Sequence, residues 1–291
     1  MRQGPGIAAA ERIEALLRDR VEANDRFFGA QAQRLSRLCH RMAERFARDG
    51  RLVAFGSTPA DRSDARHVAV EFVHPVIVGK RALPALGIAG EGGRVAALVA
   101  LEAERDDVAM GFGDSPDTFA ALAAARERGC LTVAFAPGSG AEWEFDLSAV
   151  ADPFVRQEVV ETLYHVLWEL VHIFLDHRGL LEGRAAKPVH DSGASSFLYP
   201  FLDDAEQDTE VILTDLAGSA RSKWVDSVRL GDDSVAALDG ELRAAAAAVA
   251  DGVSAGGRLL VFGNGGSAAD ADAFVQLLCR PPVGPHVAAR S

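Results

Sequence analysis

Cysteine is scarce in this chain. The three present, Cys39, Cys130 and Cys279, form no Cys-x-x-Cys pair and no even-numbered framework. That excludes a disulfide-stapled scaffold and fits a reducing cytoplasm. Positive charge is also short. Lys plus Arg number 30 against 42 Asp plus Glu, a formal charge of -12, which argues against a general nucleic-acid or anionic-membrane surface. A local basic pocket for a phosphorylated metabolite is still allowed. Long uninterrupted apolar runs are missing too. The most apolar stretch, Leu163 to Leu175, carries His165, Glu169 and His172 and is too short and too polar to span a bilayer. The chain opens Met-Arg-Gln-Gly-Pro-Gly and runs into a charged helical pattern without a signal-peptide core. The remaining composition, 48% hydrophobic and 25% charged over 291 residues, suits a soluble globular protein of one large or two smaller domains.

Two stretches are worn copies of each other. Gly50-Arg51-Leu52-Val53-Ala54-Phe55-Gly56-Ser57 returns about 207 residues later as Gly257-Arg258-Leu259-Leu260-Val261-Phe262-Gly263-Asn264. Each is a short apolar run ending in Phe-Gly and opening a small-residue loop. A helical pattern flanks each copy on both sides. A spacing this long makes the repeated unit a domain and not a solenoid repeat.

Apolar residues recurring at three and four predict helices over 7–48, and Asp49-Gly50 stops them. Leu52 to Phe55 reads as a buried strand, and Asp64 to Val73 as a helix with Ser63 as its N-cap. Leu83 to Ala89 is a strand candidate, and Val95 to Glu104 is ambiguous between helix and strand. Val108 to Phe112 is a strand, Thr118 to Arg128 a helix capped by Gly129, Leu131 to Phe135 a strand, and 153–177 a long apolar helix. This alternation predicts an α/β sandwich on a parallel sheet. Residues 179–203 read as a linker carrying His190-Asp191 and a Phe-Leu-Tyr-Pro-Phe-Leu patch. Helix then resumes over 204–255, with a strand at Leu259 to Phe262 and a helix at Ala268 to Cys279. The second copy thus contains only the first strand-loop-helix unit of the first.

The loop Gly263-Asn264-Gly265-Gly266-Ser267 stands between a strand and a helix pattern. Glycines let backbone N–H groups approach an anion, and a helix start adds a favourable field. A tight turn without a ligand is the competing reading. The first copy's loop, Gly56 to Ser63, has lost two glycines and gained Pro59. Ser57, Thr58 and Arg62 still offer donors, although proline removes a backbone N–H. A third loop, Gly113 to Thr118, offers the hydroxyls of Ser115 and Thr118. There Asp114 and Asp117 repel a phosphate, and Asp117 or Thr118 serves equally as a helix cap.

His67 and Glu71 lie four apart on one predicted helix, so they share a face. Gln157, Glu161 and His165 share a face of the long apolar helix. Two imidazoles, a carboxylate and an amide oxygen suit zinc or another divalent cation. The competing reading is two helices with ordinary polar faces. His172 and His177 read as a core or surface histidine and a helix-end charge.

On these residues the chain resembles the sugar isomerase (SIS) domain, and within it the phosphoheptose, or sedoheptulose 7-phosphate, isomerases. Gly263 to Ala271 looks like that family's phosphate loop, and Asp64 to Phe72 like the helix after it, which carries a metal-binding His and Glu. Gln157-Glu158 with His165 is similar to the family's last helix. Gly111 to Thr118 and the helix ending Ala125-Arg126-Glu127-Arg128-Gly129 resemble the second phosphate loop and its helix.

The resemblance implies a SIS-type parallel-sheet sandwich with flanking helices over 1–178, a linker at 179–203 and a truncated second SIS-like copy over 204–291. It implies an aldose–ketose isomerase working through an enediol, with a zinc ion held by His67, Glu71, Gln157 and His165. Glu71 and His165 would be the acid–base pair. Ser57, Thr58, Ser115 and Thr118 would be the remains of a phosphate cradle, with Asn264, Gly265, Gly266 and Ser267 as the intact one. A homo-oligomer with sites between subunits is implied, with a sugar phosphate as partner and neither nucleic acid nor membrane.

The chain departs from the family in its first loop, which lacks Asn-Gly-Gly, and in Gly113-Asp114, where the family shows Ser-Thr. No match appears for the family's Asn-Asp substrate contact. The second copy has the clean loop but no His and Glu after it. One expectation follows: the C-terminal segment packs as a second subunit's N-terminal part would, offering its loop near a shared interface. The alternative to an enzyme is a non-catalytic SIS module that binds a sugar phosphate or a partner protein as sensor or scaffold.

Overall fold

A 43-residue helix, α1 (Pro5–Ala47), leads the chain in the computed structural model, which describes residues 5–75, 80–89, 94–176, 181 and 209–281. Its apolar stripe Leu35, Leu38, Met42 and Phe46 is buried. Asp49, with φ 65°, turns the chain out of the helix. Gly50 follows because a Cβ there would lie 2.0 Å from the carbonyl oxygen of Asp106.

The strands β1 (Leu52–Gly56), β2 (Ala85–Ile88), β3 (Val108–Phe112), β4 (Leu131–Ala134) and β5 (Trp143–Glu144) alternate with α2 (Pro59–Val73), α3 (Val95–Glu102) and α4 (Pro116–Glu127). All pairs are parallel, in the order β2-β1-β3-β4-β5. The alternation predicted from sequence therefore produces the α/β parallel sheet.

The two-residue period of a strand divides the core into two layers. Leu52, Ala54, Val108, Met110, Leu131 and Val133 face α1, α2 and the long helix α5 (Pro153–Asp176). Val53, Phe55, Ala109 and Ala134 face α3 and α4, through Val99, Ala121, Leu122 and Ala125. The site is built on the first of these faces, where α2 and α5 both pack.

Several expectations shift. The ambiguous segment at Val95 becomes helix α3, with Val95 and Val99 turned inward. Helix α2 begins at Pro59 and not at Asp64. Thr58 is its N-cap, in a capping box with Asp61, because proline suits the first turn of a helix, where its missing N–H is no loss. Ser63 is buried inside the helix. Ser115, and not Asp117 or Thr118, caps α4.

The C-terminal part supplies α6 (Thr209–Ser254) and α7 (Gly266–Cys279). α6 lies along α1, where Arg20 bridges Glu158 of α5 and Asp232 of α6. The expected strand at Leu259 to Phe262 is not formed. Its first-copy equivalent, β1, is flanked by β2 and β3, whereas among the described residues no strand lies beside this one, and Leu260 and Phe262 are exposed. The expected linker, with His190-Asp191 and its aromatic patch, falls outside the described residues apart from Leu181, as does His177. Among the described residues no helix is long and apolar enough to cross a membrane.

One buried carboxylate ties the sheet's leading edge together. Asp107, 2% exposed, accepts from the backbone N–H of Arg51 at 2.7 Å, from its guanidinium Nη2 at 2.8 Å and from the N–H of Glu104 at 3.0 Å. Asp107→Ala strands these donors and is expected to lower unfolding stability by about 3 kcal/mol in urea denaturation.

Candidate metal centre

Helix α2 packs across α5, and the contact is polar at its centre. The Tyr164 hydroxyl lies 2.9 Å from His67 Nδ1. The Gln157 amide nitrogen donates to Asp64 at 2.7 Å and to Glu161 at 3.3 Å. The Tyr164–His67 and Gln157–Asp64 bonds join two helices whose contacting residues are more than 90 positions apart in the chain.

The clasp brings His67, Glu71 and His165 together, with donor atoms all within 4.8 Å of one another. Nε2 of His67 is 3.7 Å from the Glu71 carboxylate, and both side chains are 7% exposed. The two imidazole rings meet edge to face, centroids 5.2 Å apart. His165 is half-buried. Its Nδ1 lies 2.7 Å from the carbonyl oxygen of Glu161. A carbonyl only accepts, so Nδ1 donates and Nε2 is the ring nitrogen left for the cluster.

The donor set fits a borderline divalent ion such as zinc, which takes imidazole and carboxylate ligands. Gln157, one and two turns before Glu161 and His165, spends its amide nitrogen on Asp64 and Glu161. Its oxygen remains the donor an ion would use.

Charge is tuned at each position. Burial disfavours the imidazolium of His67, but the carboxylates of Glu71, Asp270 and Glu161 outweigh it, and its pKa stands above the ordinary value. His67 holds Glu71 below the usual carboxylate range, against burial and with help from His165. Burial raises Glu161, opposed by Gln157 and the two histidines. Burial also raises Asp64 well above its ordinary value, with Glu161 adding and Gln157 opposing. Tyr164 is raised by burial and then by the surrounding carboxylates, so it keeps its proton.

The candidate phosphate residues divide into two groups. Thr118 Oγ1 lies 3.1 Å from Ser57 Oγ and 2.9 Å from Ser115 Oγ, and donates to the Phe112 carbonyl at 3.3 Å. Three hydroxyls therefore meet past the ends of β1 and β3. Thr58 is turned to its own helix, its hydroxyl accepting from the Asp61 N–H at 3.2 Å and its N–H donating to Asp61 Oδ2 at 2.9 Å. The Asp61 carboxylate comes within 2.4 Å of where a Cβ on Gly113 would stand. The other group, Asn264 to Ser267, opens α7, which packs on α2. A Cβ on Gly266 would lie 2.8 Å from Glu71 Oε1. The glycine loop therefore stands beside the helix that carries His67 and Glu71 within one chain.

Sequence reasoning missed Tyr164, Asp64 and Asp270. Asp270 had a signal, because it stands in the second copy where Asp64 stands in the first once the extra residue of the first loop is allowed for. His172 is a core histidine, its two ring nitrogens 2.8 and 2.9 Å from the carbonyls of Trp168 and Arg81.

No protein-family model matches the chain. It is similar to the phosphoheptose isomerase of Solidesulfovibrio magneticus, 31% identical over 183 residues that cover 56% of this chain and 89% of the relative. Against the phosphoheptose isomerase of Desulfovibrio desulfuricans it is 30% identical over 190 residues, 58% of this chain and 90% of the relative. A phosphoheptose isomerase structure from Francisella tularensis aligns with TM-score 0.49 and 16% identity, over 59% of this chain and 100% of that one.

In the metal-free protein, His67, Glu161 and Asp64 all hold protons more tightly folded than unfolded. The His67 contribution is complete below its unfolded pKa of about 6.5 and fades as pH rises through its higher folded value. The two carboxylates lose stability in the same direction as rising pH ionises them in their buried setting. Glu71 runs oppositely, its contribution fading only as pH falls through its depressed folded value. Chelator-treated protein is therefore expected to melt at a higher temperature at pH 6 than at pH 8 by scanning calorimetry, and Glu161→Gln to shrink the difference.

Proposed function

The chain belongs to the phosphoheptose isomerase family, and from that premise we propose that it is a sugar-phosphate aldose–ketose isomerase with one zinc ion per site. Its proposed substrate is a heptose 7-phosphate of the sedoheptulose type. The observation that carries the reading is the convergence of His67, Glu71 and His165 from two distant helices.

Zinc held by His67, Glu71, His165 and the Gln157 oxygen would supply Lewis-acid polarisation of the sugar carbonyl. The chain's own groups handle the protons. Glu71 is ionised at neutral pH, held so chiefly by His67, and accepts the proton from one carbon before returning it to the next. With Nδ1 bonded to the Glu161 carbonyl, His165 has only Nε2 to offer, so it would serve proton transfer at the adjacent sugar oxygen only in a turn when that nitrogen is off the ion. Tyr164 and Gln157 keep these groups oriented. The phosphate would be met by the N–H groups and side chains of Asn264, Gly265, Gly266 and Ser267, and by the hydroxyls of Ser57, Thr58, Ser115 and Thr118. Residues 1–178 form the catalytic unit in this reading, 179–203 a connector, and 204–291 a partial second copy. The assembled protein is a homo-oligomer.

One observation favours a second reading, a sugar-phosphate-binding module without turnover. The hydroxyls of Thr58, Ser115 and Thr118 are already used in caps and in one another's hydrogen bonds. An isomerase assay on sedoheptulose 7-phosphate separates the two. The enzyme turns over with zinc, and Glu71→Gln lowers kcat about 100-fold or more without losing the fold. Zinc-loaded wild type that binds the sugar phosphate but never converts it would establish the binding module instead.

A further inference from the structure

Helices α2 and α7 run antiparallel, and their registers meet turn by turn. Gly266 lies on Glu71, and one turn later Asp270 reaches His67, which is one turn earlier on α2. The Asp270 carboxylate is 3.8 Å from His67 Nε2, against 3.7 Å for Glu71. Beyond it Asp272 pairs with Arg66 at 2.9 Å, and Ala269 is buried in the same contact. Gly266 allows the approach, since any Cβ would stand 2.8 Å from Glu71 Oε1.

Nδ1 of His67 is engaged by Tyr164, so Nε2 is the nitrogen that faces the common space. Two carboxylates flank that nitrogen at nearly equal distance, one from each copy. Ligand atoms around a tetrahedral zinc with bonds of about 2.0–2.1 Å stand roughly 3.3 Å apart, and both separations are within about half an ångström of that. The Asp270 side chain is 69% exposed and stands beside the cluster of His67, Glu71 and His165, outside the 4.8 Å within which those three donors lie of one another.

We propose that Asp270 is a further donor of the cation site, contributed within the same chain by the C-terminal segment, so that a fifth group from α7 joins the four offered by α2 and α5. This rests on the metal-site reading above. It gives the truncated copy a part in the site: it carries no His and Glu of its own and closes the first copy's cluster with a carboxylate. It also makes the first turn of α7, with its glycine loop, a wall of the same cavity.

The test uses Co2+ as a spectroscopic probe on the full chain, titrated by its visible absorption, with wild type, Asp270→Asn, Asp272→Asn and His165→Ala compared. Asp270→Asn is expected to weaken Co2+ binding roughly tenfold or more and to alter the ligand-field bands. Asp272→Asn, which removes the Arg66 pair and no donor, is expected to keep the wild-type spectrum. Identical spectra and affinities for wild type and Asp270→Asn would overturn the proposal. So would equal weakening by Asp270→Asn and Asp272→Asn, which would assign Asp270 to docking alone. Should His165→Ala leave Co2+ binding untouched, or wild type bind none, the metal-site reading itself fails, a result distinct from silence at Asp270 alone.

Discussion

The crossing of α2 over α5 is the constraint on which the site depends. Neither helix holds a complete donor set. α2 offers an imidazole and a carboxylate one turn apart, and α5 an amide and an imidazole two turns apart. Two cross-helix hydrogen bonds, Tyr164 to His67 and Gln157 to Asp64, set the register, and the apolar face shared by Val68, Phe72, Leu163 and Leu167 holds it. Each imidazole has its second nitrogen engaged, His67 by a hydroxyl and His165 by its own helix's carbonyl. The rings are thus oriented before any ion arrives, which is how a second layer of contacts tunes a metal site. Burying Asp64 and Glu161 beside that cluster is unfavourable for their charged forms, and the raised pKa of each records it. A cation between them would relieve that tension.

The repeated unit behaves differently in its two settings for a physical reason. In the first copy the Leu52–Gly56 segment lies between two parallel neighbours and is buried on both faces. In the second, Leu259 to Phe262 has no such neighbours among the described residues, and Leu259, Leu260 and Phe262 are exposed. The loop and helix after it need no sheet, because a helix satisfies its own backbone. α7 therefore forms and docks on α2.

Much of the fold was legible. Short apolar runs at Leu52 to Phe55, Val108 to Phe112 and Leu131 to Phe135 marked the central strands, and glycines at 50 and 129 marked the helix ends. Boundaries set by caps were less so: Pro59 read as a turn residue, when proline also suits the first turn of a helix, and Ser115 outcompeted Asp117 as a cap. The i,i+4 pairs His67–Glu71 and Glu161–His165 exposed most of the cluster, since helical spacing alone places them on a face. What spacing within one helix cannot reveal is which residue of another helix arrives opposite. Tyr164 was invisible for that reason, Asp270 was marked only by its correspondence to Asp64, and the exposed state of Leu260 and Phe262 was hidden because a strand pattern says nothing about whether partners exist.

The most direct measurement is a crystal of the zinc-soaked full chain with diffraction collected on both sides of the zinc absorption edge. A single strong anomalous peak per chain, about 2.0–2.2 Å from nitrogens of His67 and His165 and an oxygen of Glu71, is the predicted result. A peak lodged elsewhere, or none while the three side chains remain in place, would contradict the claim that this helix crossing exists to hold a cation.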